Sequence, residues 1–522
     1  MIHAAPAVAA NAAVPSRDRA VAAVALAQAL PLCAIAWGAL AFGGVYAWAY
    51  WPLAGVCLLS GCLAIYVARD APVTSVDAPL VVVLILLAAA ILVQLFPLPL
   101  RTLSTFSPHT VDLLHKLNPA FAAGLMRWHA ISVWPHDTLV AFALYGSLAL
   151  LLVGTARVLS ITGSRRLVQA LTVFGVILAL IGIVQKPLYT GAIYGLWPLD
   201  IGRMPFGPFV NRNHFAGWML MALPLTLALL SGGIHRSMRG LKPGWRHKVL
   251  WFSSREASQL ILVAAAAVIM ALSLMLTMSR SGIAAFMLSL VIMASFVVRA
   301  SDTRSRRLAS TACLVLLVIV VVVWSGPEVL ASRFAAGDWG EFNNRRGAWT
   351  DAWSVVRDFP LSGTGLNTYW AAALFYQRHE LDYFFAQAHN DFFQVAAEGG
   401  LLLILPVIVC IAIFVRNVSR TMRDGRGSMA WWLRAGAVTS LLAIACQETV
   451  EFSLQMPGNA VLFTIVCAIA LHNPTDIDDP TEEGDVVAPR LWLATPRSVP
   501  PETSHAFLRP ISVEFGRRTD RR

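Results

Sequence analysis

Residues 78–96 read APLVVVLILLAAAILVQLF, a run in which Gln94 is the only strongly polar side chain. A helix of this length rises by about 1.5 Å per residue and spans the ~30 Å hydrocarbon core of a bilayer. Similar stretches recur from residue 21 to residue 472, and the chain is 57% hydrophobic but only 13% charged. A soluble core does not need so many apolar segments, so the sequence predicts a membrane protein.

The predicted fold is an all-α polytopic membrane protein with about twelve transmembrane helices and a large outward-facing loop domain. The first span follows Arg17 and Arg19, as in a signal peptide, but its apolar part exceeds the roughly 7–15 residues of a signal-peptide core. We therefore expect it to remain as an uncleaved helix. The twelve predicted spans are Val21 to Gly43, Val45 to Ala68, Ala78 to Phe96, Leu139 to Val158, Leu167 to Gln185, Phe215 to Ser231, Gln259 to Met278, Gly282 to Val298, Leu308 to Trp324, Gly400 to Val415, Trp431 to Cys446, and Val461 to Leu471.

Basic residues are concentrated in alternate connections between these spans. Short loops rich in Lys and Arg stay on the cytoplasmic side, so both termini are predicted inside and the long loop before residue 399 outside, in the periplasm of a bacterium with two membranes. The predicted cytoplasmic loops contain Arg157, Arg165, Arg166, Arg236, Arg239, Lys242, Arg246, Lys248, Arg255, Arg299, Arg304, Arg306, Arg307, Arg416, Arg420, Arg423 and Arg426.

The spans and loops divide the chain into six predicted segments. They are a cytoplasmic N-terminal segment (1–20), N-terminal transmembrane helices (21–200), transmembrane helices with outward-facing Arg motifs (201–325), a large periplasmic loop (326–398), C-terminal transmembrane helices (399–472) and a disordered cytoplasmic tail (473–522).

The net charge of +11 follows largely from this loop asymmetry. A nucleic-acid-binding protein gathers its basic residues on one folded face, so the sequence gives no support to a nucleic-acid partner. All seven cysteines fall in or beside apolar spans, where Cys serves as a small hydrophobic side chain. No disulfide or zinc framework is visible.

Three polar clusters occur where the chain is predicted to enter the membrane from outside, each near a helix N-terminus. They are Asn211-Arg212-Asn213-His214, Ser279-Arg280-Ser281 and His389-Asn390-Asp391. Free backbone N–H groups and the helix dipole favour anions at such positions, and a guanidinium adds a charged fork suited to phosphate oxygens. The sequence therefore predicts an outward-facing anion site.

Each cluster also has a structural interpretation. Arg280 and Arg212 can reach lipid headgroups, Arg345 and Arg346 can be solvated loop charges, and His389 can serve as a structural hydrogen-bonding residue. The functional interpretation of His389 is that a His at the outer surface accepts a proton near neutral pH. No HExxH or similar pair occurs, so no metal site is predicted, and no GxSxG or GxxxxGK[ST] motif is present.

Four blocks of residues resemble the O-antigen ligase and polymerase family, bacterial membrane proteins that transfer glycans from a polyprenyl-pyrophosphate carrier. Together they cover about residues 200 to 415. The blocks are Gly207-Pro208-Phe209-Val210-Asn211-Arg212-Asn213-His214-Phe215-Ala216; Ser279-Arg280-Ser281-Gly282; Arg346-Gly347-Ala348-Trp349 with Phe359-Pro360-Leu361-Ser362-Gly363-Thr364-Gly365; and Ala388-His389-Asn390-Asp391 with Glu398-Gly399-Gly400.

This resemblance implies an inverting, metal-independent glycosyl transfer without a cofactor, at the outer face of the inner membrane, with undecaprenyl pyrophosphate as leaving group. It implies that Arg280 binds the carrier, assisted by Arg212 or Arg346. His389 would orient or deprotonate the acceptor hydroxyl, with Asp391 and Glu398 as alternatives for that role.

The resemblance leaves the acceptor open. A ligase passes a finished glycan to lipid A-core or a protein, whereas a polymerase joins it to another carrier-linked glycan in O-antigen or exopolysaccharide synthesis. A membrane transporter is the alternative outside this family, because many spans with Arg residues also suit a permeation path. Polar residues concentrate in one outward loop rather than at mid-span, and this pattern favours the transferase.

Overall fold

The computed structural model describes residues 17–70, 76–199, 204–239, 245–300 and 340–473, with four isolated positions between 308 and 319. The helices are α1 Arg17–Leu40, α2 Ala47–Val67, α3 Ala78–Leu95, α4 Leu100–Phe106, α5 Pro108–Leu117, α6 Pro119–Ala122, α7 Pro135–Thr162, α8 Arg165–Leu188, α9 Arg212–Arg239, α10 Trp245–Phe252, α11 Arg255–Leu276, α12 Arg280–Ala300, α13 Gly340–Asp358, α14 Tyr369–Tyr376, α15 Asp391–Thr421, α16 Met429–Gln447 and α17 Pro457–Leu471. Two short 3₁₀ turns cover Phe42–Gly44 and Ser453–Gln455.

The strands are short and lie in the connections between helices. β1 (Pro97–Pro99) pairs antiparallel with β2 (Trp128–Ala130), and β3 (Ala192–Ile193) pairs with β4 (Trp197–Pro198). The described structure is therefore built almost wholly from helices.

Ten of the described helices are long and apolar enough to cross a membrane, and α17 is a shorter apolar helix. The expected all-α, multi-pass fold is confirmed. Eleven of the predicted spans coincide with these helices. The predicted span from Leu308 to Trp324 and the predicted tail beyond Asn473 lie outside the described residues, and the six segment boundaries stay predictions.

Helix α9 lies at the centre of the bundle. It packs against α16, α11, α12, α8 and α17, and its most apolar stretch is 94% buried. Small residues allow this close packing, since a side chain added at Gly436 of α16 would meet Ala228 and the carbonyl of Pro224. This central helix fixes the positions of the helix ends around it.

Helices α13 and α14 pack beside the first turns of α15, through a small apolar cluster that includes Val355, Phe359, Tyr369 and Ala397. Helix α15 is not continuous in conformation, because Gly400 has a φ of 52°. The kink separates a polar first segment from an apolar segment that begins where the sequence predicted the span to start. The polar segment of α15 therefore packs with α13 and α14, and the apolar segment packs in the bundle.

Candidate functional site

Helices α9, α12 and α15 begin at the same end of the bundle, which we call the site end. They meet around the connection between α16 and α17, residues 448–456. Within it, Thr449 accepts a hydrogen bond at its carbonyl oxygen from Asn390 Nδ2 at 2.8 Å, and Ser453 Oγ approaches Asn213 O at 3.4 Å. The structure thus brings together the three polar clusters that the sequence singled out.

Glu451 is the central residue of this arrangement, and its side chain has no exposed surface. Its Oε1 accepts hydrogen bonds from Asn213 Nδ2 at 2.7 Å and Arg345 Nη2 at 2.5 Å, with Ser281 Oγ at 3.5 Å. Each of these three donor residues is the direct sequence neighbour of an arginine that was predicted to bind the donor pyrophosphate, namely Arg212, Arg346 or Arg280. One buried carboxylate therefore ties the first turns of α9 and α12 to α13.

Arg212 and Arg280 are the first residues of α9 and α12, and both side chains are partly exposed. Lys186, near the end of α8, lies close enough to Arg212 for the two positive charges to repel each other. Its Nζ donates to the carbonyl oxygen of Leu276 at 2.7 Å, directly before the turn that leads into Arg280. Three cations therefore surround two helix N-termini, an arrangement that favours a polyanionic ligand.

Arg345 and Arg346 are neighbours on α13 but face different surroundings. Arg345 contacts buried Glu451, whereas the side chain of Arg346 is exposed. The helical rotation of about 100° per residue separates them. The structure thus brings Arg345 into the site, and the predicted role of Arg346 at a donor pyrophosphate stays a prediction.

His389 lies immediately before α15 with a φ of 50°, a backbone conformation that costs energy for any residue with a Cβ. Trp349 Nε1 donates a hydrogen bond to the carbonyl oxygen of His389 at 3.1 Å. The imidazole ring of His389 lies edge-on to the ring of Phe452, with the ring centroids 4.8 Å apart. Its Nδ1 is buried and has no hydrogen-bond partner in the described part of the chain. Burial, with Arg345 nearby, lowers the pKa of His389 to about 4. The imidazole is therefore neutral at neutral pH and available as a hydrogen-bonding group.

Asp391 is the first residue of α15 and contacts the same connection. Its backbone N–H donates to the carbonyl oxygen of Glu448 at 3.1 Å, and Gln455 Nε2 donates to its Oδ1 at 2.6 Å. Its carboxyl group also faces that of Glu448. Asp391 is partly exposed, whereas Glu448 is buried. Asp391 is therefore the more exposed of the two residues.

Glu398 occupies a different position from the other predicted site residues. It is buried and accepts hydrogen bonds from the backbone N–H groups of Asn367 at 2.8 Å and Tyr369 at 3.0 Å, and from Gln394 Nε2 at 3.1 Å. Such a carboxylate holds the loop before α14 against α15. This geometry favours a positioning role for Glu398, and its predicted role as a proton acceptor stays untested.

The sequence interpretation missed Glu448 and Glu451, and it gave Lys186 no role. A usable signal was present, because two carboxylates three residues apart occupy a short connection between two apolar spans. Charges next to hydrocarbon are costly unless partners compensate them. Among the described residues, no group of three His, Cys, Asp or Glu side chains is arranged to hold a metal ion.

The model of a family described as O-antigen ligase matches residues 265–422. The matched segment contains Arg280, Arg346, His389, Asp391 and Glu398, whereas Arg212 precedes it and the connection 448–456 follows it. No curated protein matches the chain.

Proposed function

We propose that this chain, a member of the O-antigen ligase and polymerase family, transfers a glycan from undecaprenyl pyrophosphate to an acceptor hydroxyl. Family members are glycosyltransferase-like enzymes of polysaccharide biosynthesis that act on lipid-linked glycans. The proposed reaction is inverting and metal-independent, and it takes place at the periplasmic face of the bacterial inner membrane. The proposed acceptor is lipid A-core or a protein for a ligase, and a second carrier-linked glycan for a polymerase.

The observation that carries this proposal is the convergence of Arg212 and Arg280 at two adjacent helix N-termini. As the glycosyl bond breaks, negative charge develops on the pyrophosphate oxygens. Cations and backbone dipoles that are already in place stabilise that charge without reorganising during the reaction. Lys186 adds a third positive charge at the same location.

The carrier lipid fits the placement of these cations. Arg212 and Arg280 begin helices that are long and apolar enough to cross a membrane. A ligand with a pyrophosphate head and a polyprenyl chain would set its charge at the helix ends and its chain along the apolar surface. A soluble anion would use the first feature and not the second.

His389 is proposed to orient the acceptor hydroxyl. With a pKa near 4, its imidazole stays neutral and accepts a hydrogen bond at neutral pH. The same low pKa makes it a weak proton acceptor, since a general base works best when its pKa lies near the working pH. The geometry therefore supports His389 as an orienting group.

The test is reconstitution of the full chain in lipid nanodiscs with an undecaprenyl-pyrophosphate-linked glycan, with and without a lipid A-core acceptor. Sizing of the products separates the outcomes. Transfer only to the added acceptor indicates a ligase, and a ladder formed without it indicates a polymerase. If no glycosidic bond forms with either acceptor, the transferase proposal is wrong and transport of the lipid-linked glycan becomes the better hypothesis.

A further inference from the structure

A cavity of about 230 Å³ lies between α1, α7 and α8, at the end of the bundle opposite the site end. Helix α8 connects the two ends. Lys186 in its last turn belongs to the site end, whereas Arg166 and Leu167 in its first turn line the cavity. The 24 residues of α8 rise by about 1.5 Å each, so the cavity is remote from the proposed donor site.

Most of the cavity wall is hydrocarbon. Pro31 and Leu32 of α1 contribute to it, together with Val158 and Leu159 of α7. The cavity opens to the outer surface of the bundle at Ala29, which is exposed on an apolar spanning helix. Water needs two to four polar partners, and cavities lined by apolar side chains take up hydrocarbon instead. The interior therefore suits part of an acyl chain.

The wall also carries one buried hydroxyl group, that of Thr155. This residue is 3% exposed, and its Oγ1 has no hydrogen-bond partner among the described residues. Hydroxyl groups inside helices often bond to the carbonyl oxygen four residues earlier. Ser160 and Thr162 of the same helix do so, to Ala156 O and Val158 O, both at 2.9 Å. A polar group of a ligand would satisfy the Thr155 hydroxyl, which is costly to bury alone.

The mouth of the cavity lies at the start of α8. Ser164 is the N-cap residue of this helix, but its side chain makes no capping hydrogen bond. In α11, which also begins at this end of the bundle, Ser254 Oγ accepts from the backbone N–H of Ala257 at 3.2 Å. The exposed Arg166 adds a positive charge to the first turn of α8. A helix start without a side-chain cap and with an arginine favours an anion.

We infer that this cavity binds one anionic phospholipid. The lipid phosphate lies at Arg166 and the first turn of α8, and one acyl chain enters between α1 and α7. Basic pockets between transmembrane helices are typical sites for anionic lipid head groups. A soluble anion would use the charge and leave the apolar wall uncovered, whereas a neutral lipid would use the wall and not the charge. The site is independent of the proposed glycan transfer.

The head-group part is tested by native mass spectrometry of the delipidated full chain, titrated with phosphatidylglycerol or with phosphatidylcholine of the same acyl chains. The wild type should bind one phosphatidylglycerol at least tenfold more tightly than phosphatidylcholine. Arg166→Gln should weaken phosphatidylglycerol binding roughly tenfold or more. Arg255→Gln is the matched control, because Arg255 is an exposed arginine at the start of α11, and it should bind like the wild type.

The cavity part is tested with Ala29→Trp, which places a large ring at the opening and should weaken binding of phosphatidylglycerol by a similar factor. Inorganic phosphate should not displace the bound lipid. Equal affinity of the wild type for the two lipids, or unchanged phosphatidylglycerol binding in Arg166→Gln, would overturn the inference. Wild-type binding in Ala29→Trp would place the lipid outside the cavity, and displacement by phosphate would make this a site for soluble anions; either result also overturns it.

Discussion

Arg345 Nη2 lies 2.5 Å from Oε1 of Glu451, a carboxylate with no exposed surface. The Arg345 side chain itself is 19% exposed, so the ion pair is largely shielded from water. Removing one partner of a buried pair leaves an uncompensated charge, which typically costs about 3–5 kcal/mol. We therefore expect Arg345→Ala to lower the thermal unfolding midpoint of the purified protein markedly.

Arg346→Ala is the matched control for this prediction, because the neighbouring arginine on the same helix is exposed. A surface substitution of this kind usually changes the unfolding free energy by about 0.5 kcal/mol or less. Equal shifts in the two variants would show that the Arg345–Glu451 pair does not stabilise the site end.

The ionisation of His389 gives a second prediction. Burial and the Arg345 charge lower its pKa to about 4. Replacing Arg345 with Gln removes the charge but retains hydrogen-bonding capacity, so the pKa of His389 should rise towards its usual value of 6.5. Histidine NMR titration of labelled protein in nanodiscs measures this change.

The sign of the accompanying stability effect follows from linkage. Between about pH 4 and 6.5 the unfolded chain binds the His389 proton and the folded chain does not, so the free energy of unfolding should rise with pH in that window. The contribution is fully present above the unfolded pKa and is lost as pH falls to the folded value. A His389 pKa that is unchanged in Arg345→Gln would contradict the proposed electrostatic coupling.

Replacement of His389 separates orientation of the acceptor from donor binding. His389→Asn is the suitable variant because Asn tolerates the positive φ at this position better than most residues. Because misplacing a reacting group can cost about 10²-fold in rate, we expect glycan transfer to fall by about that factor, with the affinity for a polyprenyl-pyrophosphate analogue unchanged. His136→Ala removes an exposed imidazole elsewhere and should leave transfer intact. Loss of analogue binding in His389→Asn would place His389 in the donor site instead.

The turn at Gly363 gives a prediction about stability. This glycine has a φ of 64°, and a Cβ there would lie 2.1 Å from the carbonyl carbon of Glu398. Gly363→Ala must therefore displace backbone that holds Glu398, in addition to the roughly 1–2 kcal/mol cost of the left-handed conformation. The thermal unfolding midpoint should drop sharply.

Gly124→Ala supplies the control, because Gly124 has a similar φ of 71° but open space around the added Cβ. It should show the conformational cost alone. If the two alanine variants unfold at the same temperature, close packing at Gly363 does not contribute to the stability of the site.

The sequence predicted the membrane helices well because hydropathy is a local property. A run such as residues 78–96 has only one stable arrangement in a bilayer, whatever surrounds it. The helix N-termini that carry Arg212 and Arg280 could also be predicted from the sequence, since both arginines directly precede apolar runs.

The buried carboxylates were not predicted, because their significance depends on contacts between distant segments. Glu451 meets Asn213 and Arg345, which lie 238 and 106 residues away in the chain. Sequence also did not determine which of Arg345 and Arg346 turns inward, because the polar face of α13 gives no strong periodic signal. The family resemblance grouped Glu398 with His389, but the Glu398 carboxylate accepts its hydrogen bonds from Asn367, Tyr369 and Gln394.

The measurement that tests the central claim most directly is binding of a non-hydrolysable undecaprenyl-pyrophosphate analogue to the wild type and to Arg280→Ala. Hydrogen bonds to charged groups are worth about 1.5–3 kcal/mol, so the variant should bind roughly ten- to a hundredfold more weakly. Arg299→Ala, at the other end of the same helix and exposed, should bind like the wild type. Equal affinity of the wild type and Arg280→Ala would contradict a donor site at the converging helix N-termini.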